Sequence, residues 1–119
     1  MMTEQEFKEY DLKRLRRSNN HLDYICIETE ETCAGFPDVI VTDRSLFDPT
    51  TYMEYKVSDS DGVIKFQRSQ PIFYKKHSHL DVLIVAYNNK TGRRVAFTKD
   101  KLFDVDSPFY LSGLKVRLP

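Results

Sequence analysis

Two segments of this chain have the polar ends and apolar faces of helices. The first is predicted over residues 4–17, because Thr3 can cap it, acidic residues lie in its first turn and basic residues lie in its last. The second is predicted to start with Ser69 as its cap and Pro71 in its first turn, where a missing N–H does no harm, and to continue to about His77.

Strands are predicted at five runs rich in β-branched and aromatic residues: 24–27, 38–41, 51–57, 82–87 and 94–98. The run 82–87 is the most apolar, which is typical of a strand buried on both faces in the middle of a sheet. The order α-β-β-β-α-β-β predicts an α/β fold in which helices flank a mixed sheet. A chain of 119 residues has the size of a single domain, and we expect one domain over 1–119.

The formal net charge is zero, whereas nucleic-acid-binding domains are usually basic. The charges are nevertheless separated along the chain. The 7 basic and 14 acidic residues before Gly62 give a charge of −7, and the 11 basic and 4 acidic residues from Gly62 onward give +7. Neutrality is therefore a cancellation, and it does not argue against a polyanionic partner.

The sequence offers no membrane segment. No run approaches the roughly 18 consecutive apolar residues of a membrane helix, and the first residues lack the apolar centre of a signal peptide. We therefore expect a cytoplasmic protein with no membrane partner.

Two acids and a lysine are brought together if strands 38–41 and 51–57 form an antiparallel hairpin. The midpoint of their loop lies near residue 46, and this register places Asp38 opposite Glu54. Glu54 and Lys56 are two residues apart on a strand and project from the same face. Two carboxylates so placed repel each other unless a hard cation lies between them, which predicts a Mg²⁺ or Mn²⁺ site, with Lys56 beside it to position water and stabilise charge on a phosphate.

The pair Pro37-Asp38, followed by Glu54-Tyr55-Lys56 and by Gln70 on the second helix, resembles the PD-(D/E)XK nuclease superfamily. That superfamily has an αβββαβ core like the order predicted here, and the resemblance covers roughly residues 4–98. The segment 64–70 and the last two predicted strands are most similar to small Holliday-junction resolvases of the RecU type or to VRR-NUC nucleases of phage and bacteria.

The resemblance implies a role for each matching residue. Asp38 and Glu54 would bind Mg²⁺ or Mn²⁺ with the backbone carbonyl of Tyr55 as a further ligand, Lys56 would be the catalytic lysine, and Gln70 would support the ligands or contact DNA. The family also has an acid on its first helix, for which Glu4 and Asp11 are both candidates.

The apolar face of the first helix leaves that choice open. Glu4 and Asp11 lie on it among Phe7, Tyr10 and Leu15, while the other acids of the helix point elsewhere. The resemblance alone does not select one of the two acids.

Basic residues that follow the site segments are predicted to contact DNA phosphates: Lys65, Arg68, Lys75, Lys76, Arg93 and Arg94, with Lys90 close by. The basic run 13–17 at the end of the first helix is explained equally well as a solvated helix end that the helix dipole favours.

The function expected from the resemblance is a Mg²⁺-dependent, structure-selective DNA endonuclease, a homodimeric Holliday-junction resolvase acting in recombination and repair. A two-fold dimer would supply one active site for each of two strands. Two alternatives remain at this stage. One is a nuclease of the same superfamily that cuts flaps, ends or duplexes, and the other is a non-catalytic module that binds DNA or protein on the same fold.

Overall fold

A mixed five-stranded sheet with strand order β1-β2-β3-β5-β6 forms the centre of the computed structural model. The structure describes residues 1–27, 34–44, 49–103 and 113–119. Its elements are α1 (Glu4–Ser18), β1 (Leu22–Cys26), β2 (Val39–Asp43), β3 (Pro49–Val57), β4 (Val63–Phe66), α2 (Ser69–Lys76), β5 (Val82–Asn88), β6 (Arg93–Thr98), a 3₁₀ helix (Lys99–Phe103) and β7 (Leu114–Arg117). The predicted fold class, a mixed sheet flanked by helices, is confirmed.

The two helices cover opposite faces of the sheet. On one face, Phe7 and Leu12 of α1 pack with Met53, Tyr55 and Val85 of the strands. The other face buries a second apolar cluster, which includes Phe73 and Tyr74 of α2 with Val82, Ile84 and Ala86 of β5. The central strands β3 and β5 therefore contribute alternate residues to two separate cores. Neither helix in the described part of the chain is long and apolar enough to cross a membrane.

The predicted first helix is confirmed to within one residue at its end. The Thr3 hydroxyl accepts a hydrogen bond from the N–H of Glu6 at 3.2 Å, and the N–H of Asn19 closes the last turn on the carbonyl of Leu15 at 2.9 Å. The placement of Tyr10 on the apolar face is wrong, because its side chain is 64% exposed. The helix instead buries Phe7, Asp11 and Leu12, which form a face that does not include Tyr10.

The register of the predicted hairpin is confirmed. In the antiparallel pair β2 and β3, Val39 faces Met53 and Ile40 faces Tyr52, the same register that places Asp38 level with Glu54. The pairing shifts only between Val41 and Thr42, toward the loop. The end of the hairpin that carries the acids is therefore regular.

Strand β5 lies parallel to β3 and antiparallel to β6, inside the sheet as predicted. Val82, Ile84, Val85 and Ala86 are all buried. Because β3 and β5 are parallel, the chain between them must cross over the sheet, and α2 lies in this crossover.

Two strands are missing from the sequence prediction. β4 and β7 form a separate antiparallel pair, in which Phe66 faces Leu114 and Val63 faces Arg117. Each is only four residues long, and their partners are about fifty positions apart, so no local hairpin pattern indicates the pairing.

The predicted cap of the second helix is wrong. Ser69 is the first helical residue, and Arg68 precedes it with helical angles of φ −52° and ψ −36° and with no side-chain capping bond. The start of the helix is instead stabilised by Gln70. Its side-chain oxygen accepts the backbone N–H of Gln67 at 2.9 Å, and its backbone N–H donates to the Gln67 carbonyl at 2.9 Å. This reciprocal pair resembles a capping box with Gln67 at its first position.

The segment that leads into β2 is held against the start of α2. Phe36 packs edge-on against Phe73 at 5.4 Å between ring centroids and against Tyr52 at 5.7 Å. Gly35 has φ +87°, and a Cβ at this position would collide with the backbone carbonyl of Ser69. Only glycine allows this close approach, which fixes the position of Asp38 three residues later.

We expect the substitution Gly35→Ala to lower the free energy of unfolding by about 3 kcal/mol or more, because a left-handed backbone and a steric clash add. Gly92→Ala is the matched control: Gly92 also has positive φ, at +73°, but its nearest neighbour is the Tyr87 hydroxyl at an ordinary 3.7 Å. The control should lose only about 1 kcal/mol. Urea denaturation of both variants tests this, and equal losses would contradict the steric role of Gly35.

Candidate active site

Glu54 and Lys56 project from β3 toward the α2 side of the sheet, while Tyr55 between them points to the α1 side. The Lys56 ammonium lies 3.9 Å from Oε1 of Glu54, and it also sits over the ring of Phe66 at 4.9 Å from the centroid. Glu54 is buried, with 4% of its surface exposed, and Lys56 is partly buried. The strand alternation predicted from sequence therefore places an acid and a base together in a largely dry environment.

Gln70 links these two side chains. Its amide nitrogen donates to Oε1 of Glu54 at 2.6 Å, and its amide oxygen accepts from the ammonium of Lys56 at 2.9 Å. The same oxygen accepts the N–H of Gln67 at the start of α2. One side chain thus fixes the acid, the base and the helix start relative to one another.

Asp38 lies immediately before the first residue of β2 and contacts β3 next to these side chains. Its Oδ2 accepts the backbone N–H of Tyr55 at 3.1 Å. In an extended strand the N–H and carbonyl of one residue point to the same side, so the Tyr55 carbonyl faces the Asp38 edge of β3. The three metal-ligand positions predicted around Asp38, Glu54 and the Tyr55 carbonyl therefore lie on neighbouring parts of the structure.

The environment of Glu54 disfavours its negative charge. Burial raises the pKa of its carboxyl group to about 8, the charge of Asp38 and more weakly that of Glu4 add to the rise, and Lys56 and the Gln70 hydrogen bond oppose it. Its Oε2 is buried, and none of the described residues forms a hydrogen bond with it.

An unpartnered carboxylate oxygen beside a second carboxylate fits a hard divalent cation. The described residues contain no cluster of three or more His, Cys, Asp or Glu arranged to hold a metal ion. The chain thus offers the pair Asp38 and Glu54, with backbone and solvent oxygens needed to complete a coordination sphere, as is usual for Mg²⁺.

Asp11 is engaged elsewhere. Its carboxylate is 1% exposed and accepts hydrogen bonds from the Tyr55 hydroxyl at 2.7 Å, from Arg94 through Nε at 2.8 Å and Nη2 at 3.2 Å, and from Arg14 at 3.1 Å. These charged and hydroxyl donors keep the pKa of Asp11 below its usual value in spite of burial. Asp11 lies on the α1 side with both oxygens occupied, which makes it a structural residue.

Glu4 is the first-helix acid whose charge interacts with the charges of the site. Glu4 is an exposed residue, yet partial desolvation by the surrounding protein raises the pKa of its carboxyl group. The charge of Lys56 opposes this rise, and the charge of Asp38 adds to it. Glu4 therefore shares its electrostatic environment with the two charged groups of the candidate site. Of the two acids that the sequence left open, Asp11 is engaged on the α1 side, and electrostatic coupling to Asp38 and Lys56 favours Glu4.

The predicted DNA contacts do not form a single patch. Lys65 and Arg68 are exposed on β4 and just before α2, and Lys75 and Lys76 are exposed in the last turn of α2. Arg93 and Arg94 lie instead on β6, where the guanidinium of Arg94 is held by Asp11. Arg94 therefore has a structural role that the sequence did not indicate.

Tyr74 is a further member of this region. It follows Gln70 by one helical turn on the same face of α2, is 1% exposed, and its hydroxyl has no hydrogen-bond partner among the described residues. Burial raises the pKa of Tyr74, and the charges of Glu54 and Asp38 add to the rise, which places the hydroxyl in their field. The i, i+4 spacing of a glutamine and a tyrosine was the one available signal.

Comparison with known proteins identifies no relative, since no family model, no curated protein and no solved structure matches this chain. The resemblance to the PD-(D/E)XK nucleases therefore remains one of residue pattern and element order.

The two first-helix acids should respond differently to removal of charge. Asp11→Asn should lower the free energy of unfolding by about 2 kcal/mol or more, because it weakens a buried acceptor of two arginines and a tyrosine. Glu4→Gln should leave stability within about 0.5 kcal/mol, since the side chain is exposed. Thermal and urea denaturation of both variants measure this, and a stable Asp11→Asn protein would contradict the structural role.

The raised pKa of Glu54 predicts a pH-dependent stability in the absence of divalent ions. The folded state holds this proton up to about pH 8 and the unfolded state releases it near the ordinary value of 4.5, so stability should fall as pH rises from about 5 to 8. Glu54→Gln, which stays neutral, should remove this part of the decline. Denaturation in EDTA at several pH values tests it, with Glu9→Gln on the exposed surface of α1 as control, and parallel curves for wild type and Glu54→Gln would rule the effect out.

Proposed function

We propose that this chain is a metal-dependent DNA endonuclease with a PD-(D/E)XK-type active site. One observation carries the proposal: Gln70 holds Glu54 and Lys56 together, next to Asp38, while Oε2 of Glu54 is buried with no hydrogen-bond partner in the part of the chain that the structure describes. A buried, unsatisfied carboxylate oxygen destabilises a protein unless a ligand uses it.

Asp38 and Glu54 would hold Mg²⁺ or Mn²⁺, with the Tyr55 carbonyl and Glu4 within the same region. Such a cation supplies Lewis acidity and lowers the pKa of a bound water. The ammonium of Lys56 stabilises negative charge that develops on a scissile phosphate, because it is held in a low-dielectric position by the Gln70 oxygen. Gln70 orients both groups through its two hydrogen bonds and does not itself exchange a proton.

The substrate class within this proposal is branched DNA, with a homodimer that resolves four-way junctions in the cytoplasm. Exposed basic side chains on β4, just before α2 and at the end of α2 support a nucleic-acid substrate: Lys65, Arg68, Lys75 and Lys76. The preference for junctions follows from the resemblance to RecU-type resolvases alone. Flap, end or duplex cleavage would be read from the products as single or terminal cuts, whereas resolution predicts paired, symmetric nicks near the branch.

Removal of the proposed ligands or of the lysine should abolish cleavage and leave binding in place. Asp38→Asn, Glu54→Gln and Lys56→Met should each lower the cleavage rate by about a thousandfold or more, because the first two remove a carboxylate that would hold the cation and the third removes the ammonium beside the phosphate. Labelled junctions, flaps and linear duplexes incubated with Mg²⁺ or Mn²⁺ report cleavage, and fluorescence anisotropy without divalent ions reports binding. Glu9→Gln and Lys115→Met, at exposed positions of α1 and β7, are the matched controls.

A folded wild-type protein that leaves every substrate intact with either cation would sink the nuclease proposal. If that protein still binds DNA, the non-catalytic module becomes the function.

A further inference from the structure

The last half of α1 carries a basic, solvent-facing surface. Tyr10, Lys13, Arg14 and Arg17 are exposed, and with Ser18 they line an open pocket of about 320 Å³. We name these four exposed side chains the α1 basic surface. None of them contributes to the candidate active site described above.

The helix dipole does not account for the whole of this surface. It favours cations in the last turn, where Arg16 and Arg17 lie. Arg16, however, donates to the carbonyl of Tyr24 at 2.8 Å and so anchors the helix to β1. Lys13 lies more than one turn before the helix end. The helix dipole also does not explain Tyr10, an uncharged side chain that is 64% exposed.

Among the described residues, two of the cations on this surface make no direct ion pair, although Glu9 lies one turn before Lys13 on the helix. Asp11 is the acid that the surface contacts, and that carboxylate is shared by Arg14 and Arg94. In the part of the chain that the structure describes, neither Lys13 nor Arg17 forms an ion pair. Two cations are therefore available to an external anion, with Arg14 half-exposed beside them.

We infer that the α1 basic surface binds the phosphodiester backbone of a DNA segment other than the one at the candidate active site. Glu4, whose charge interacts with the charges of that site, lies at the opposite end of the same helix. With a rise of about 1.5 Å per residue, Lys13 and Arg17 are about 14 and 20 Å further along the axis. A second arm of a branched substrate reaches such a position, so this inference rests on the proposed function and deepens it.

The chemistry of the surface favours a nucleic acid over a second copy of this chain. A two-fold contact centred on this surface would bring the same cations against each other, which is repulsive. Spaced lysine and arginine side chains with a tyrosine hydroxyl are the groups that bind phosphate oxygens in protein–DNA complexes. An exposed tyrosine also stacks on an unpaired base at a branch.

The test compares the double variant Lys13→Gln/Arg17→Gln with the control Lys101→Gln/Lys115→Gln, whose lysines are exposed elsewhere. Binding to a labelled four-way junction and a short labelled duplex is measured by anisotropy in EDTA over a range of salt concentrations. The double variant should bind the junction at least about tenfold more weakly, and its log–log salt slope should be less steep by about 1.8, for two lost phosphate contacts. The control should match wild type.

Each outcome of this test decides the inference separately from the nuclease. An unchanged affinity and salt slope in the double variant overturns the inference, even if the wild type cuts junctions. A loss of binding in the double variant supports it, even if no variant ever cleaves DNA, because EDTA removes cleavage from the measurement. A change of oligomeric state in sedimentation, with DNA binding unaltered, also overturns it by assigning the surface to protein contact.

Discussion

The interaction on which this structure most depends is the pair of hydrogen bonds made by the Gln70 amide. Its nitrogen holds Glu54 and its oxygen holds Lys56, so a helix in a crossover is tied to the strand it crosses. The oxygen also accepts the N–H of Gln67 and stabilises the start of α2. An amide carries its donor and its acceptor on separate atoms, so it can donate to an acid and accept from a base at once, which explains why a glutamine fits here.

Local pattern predicted most of the fold and the centre of the site. The register that sets Asp38 level with Glu54 follows from the loop midpoint, and strand alternation separates Tyr55 from Lys56. What local pattern could not predict depends on long-range contacts. Strands β4 and β7 pair across about fifty residues, and the ion pair of Asp11 with Arg94 joins positions 83 apart, so neither leaves a periodic signal in the chain.

The separation of charge along the sequence is not kept in the folded protein. In an extended chain the acidic residues before Gly62 and the basic residues after it form two separate blocks of charge. The folded sheet places strands from both blocks side by side. The parallel pair β3 and β5 draws one strand from each half, and Arg94 from the basic half neutralises Asp11 from the acidic half. A neutral total is thus compatible with a localised acidic site and separate basic surfaces.

Tyr55 takes part in both layers of the protein. Its hydroxyl donates to Asp11 beneath α1, while its backbone N–H donates to Asp38 at the candidate site. For protein engineering, Tyr55 therefore differs from the other β3 residues that face α1. Neighbouring positions that face α1 can be redesigned as ordinary core, whereas a change at Tyr55 alters the anchoring of α1 and risks displacing a carboxylate on the far side of the strand. The middle residue of the Glu-Tyr-Lys triplet is therefore as constrained as the two charged residues that flank it.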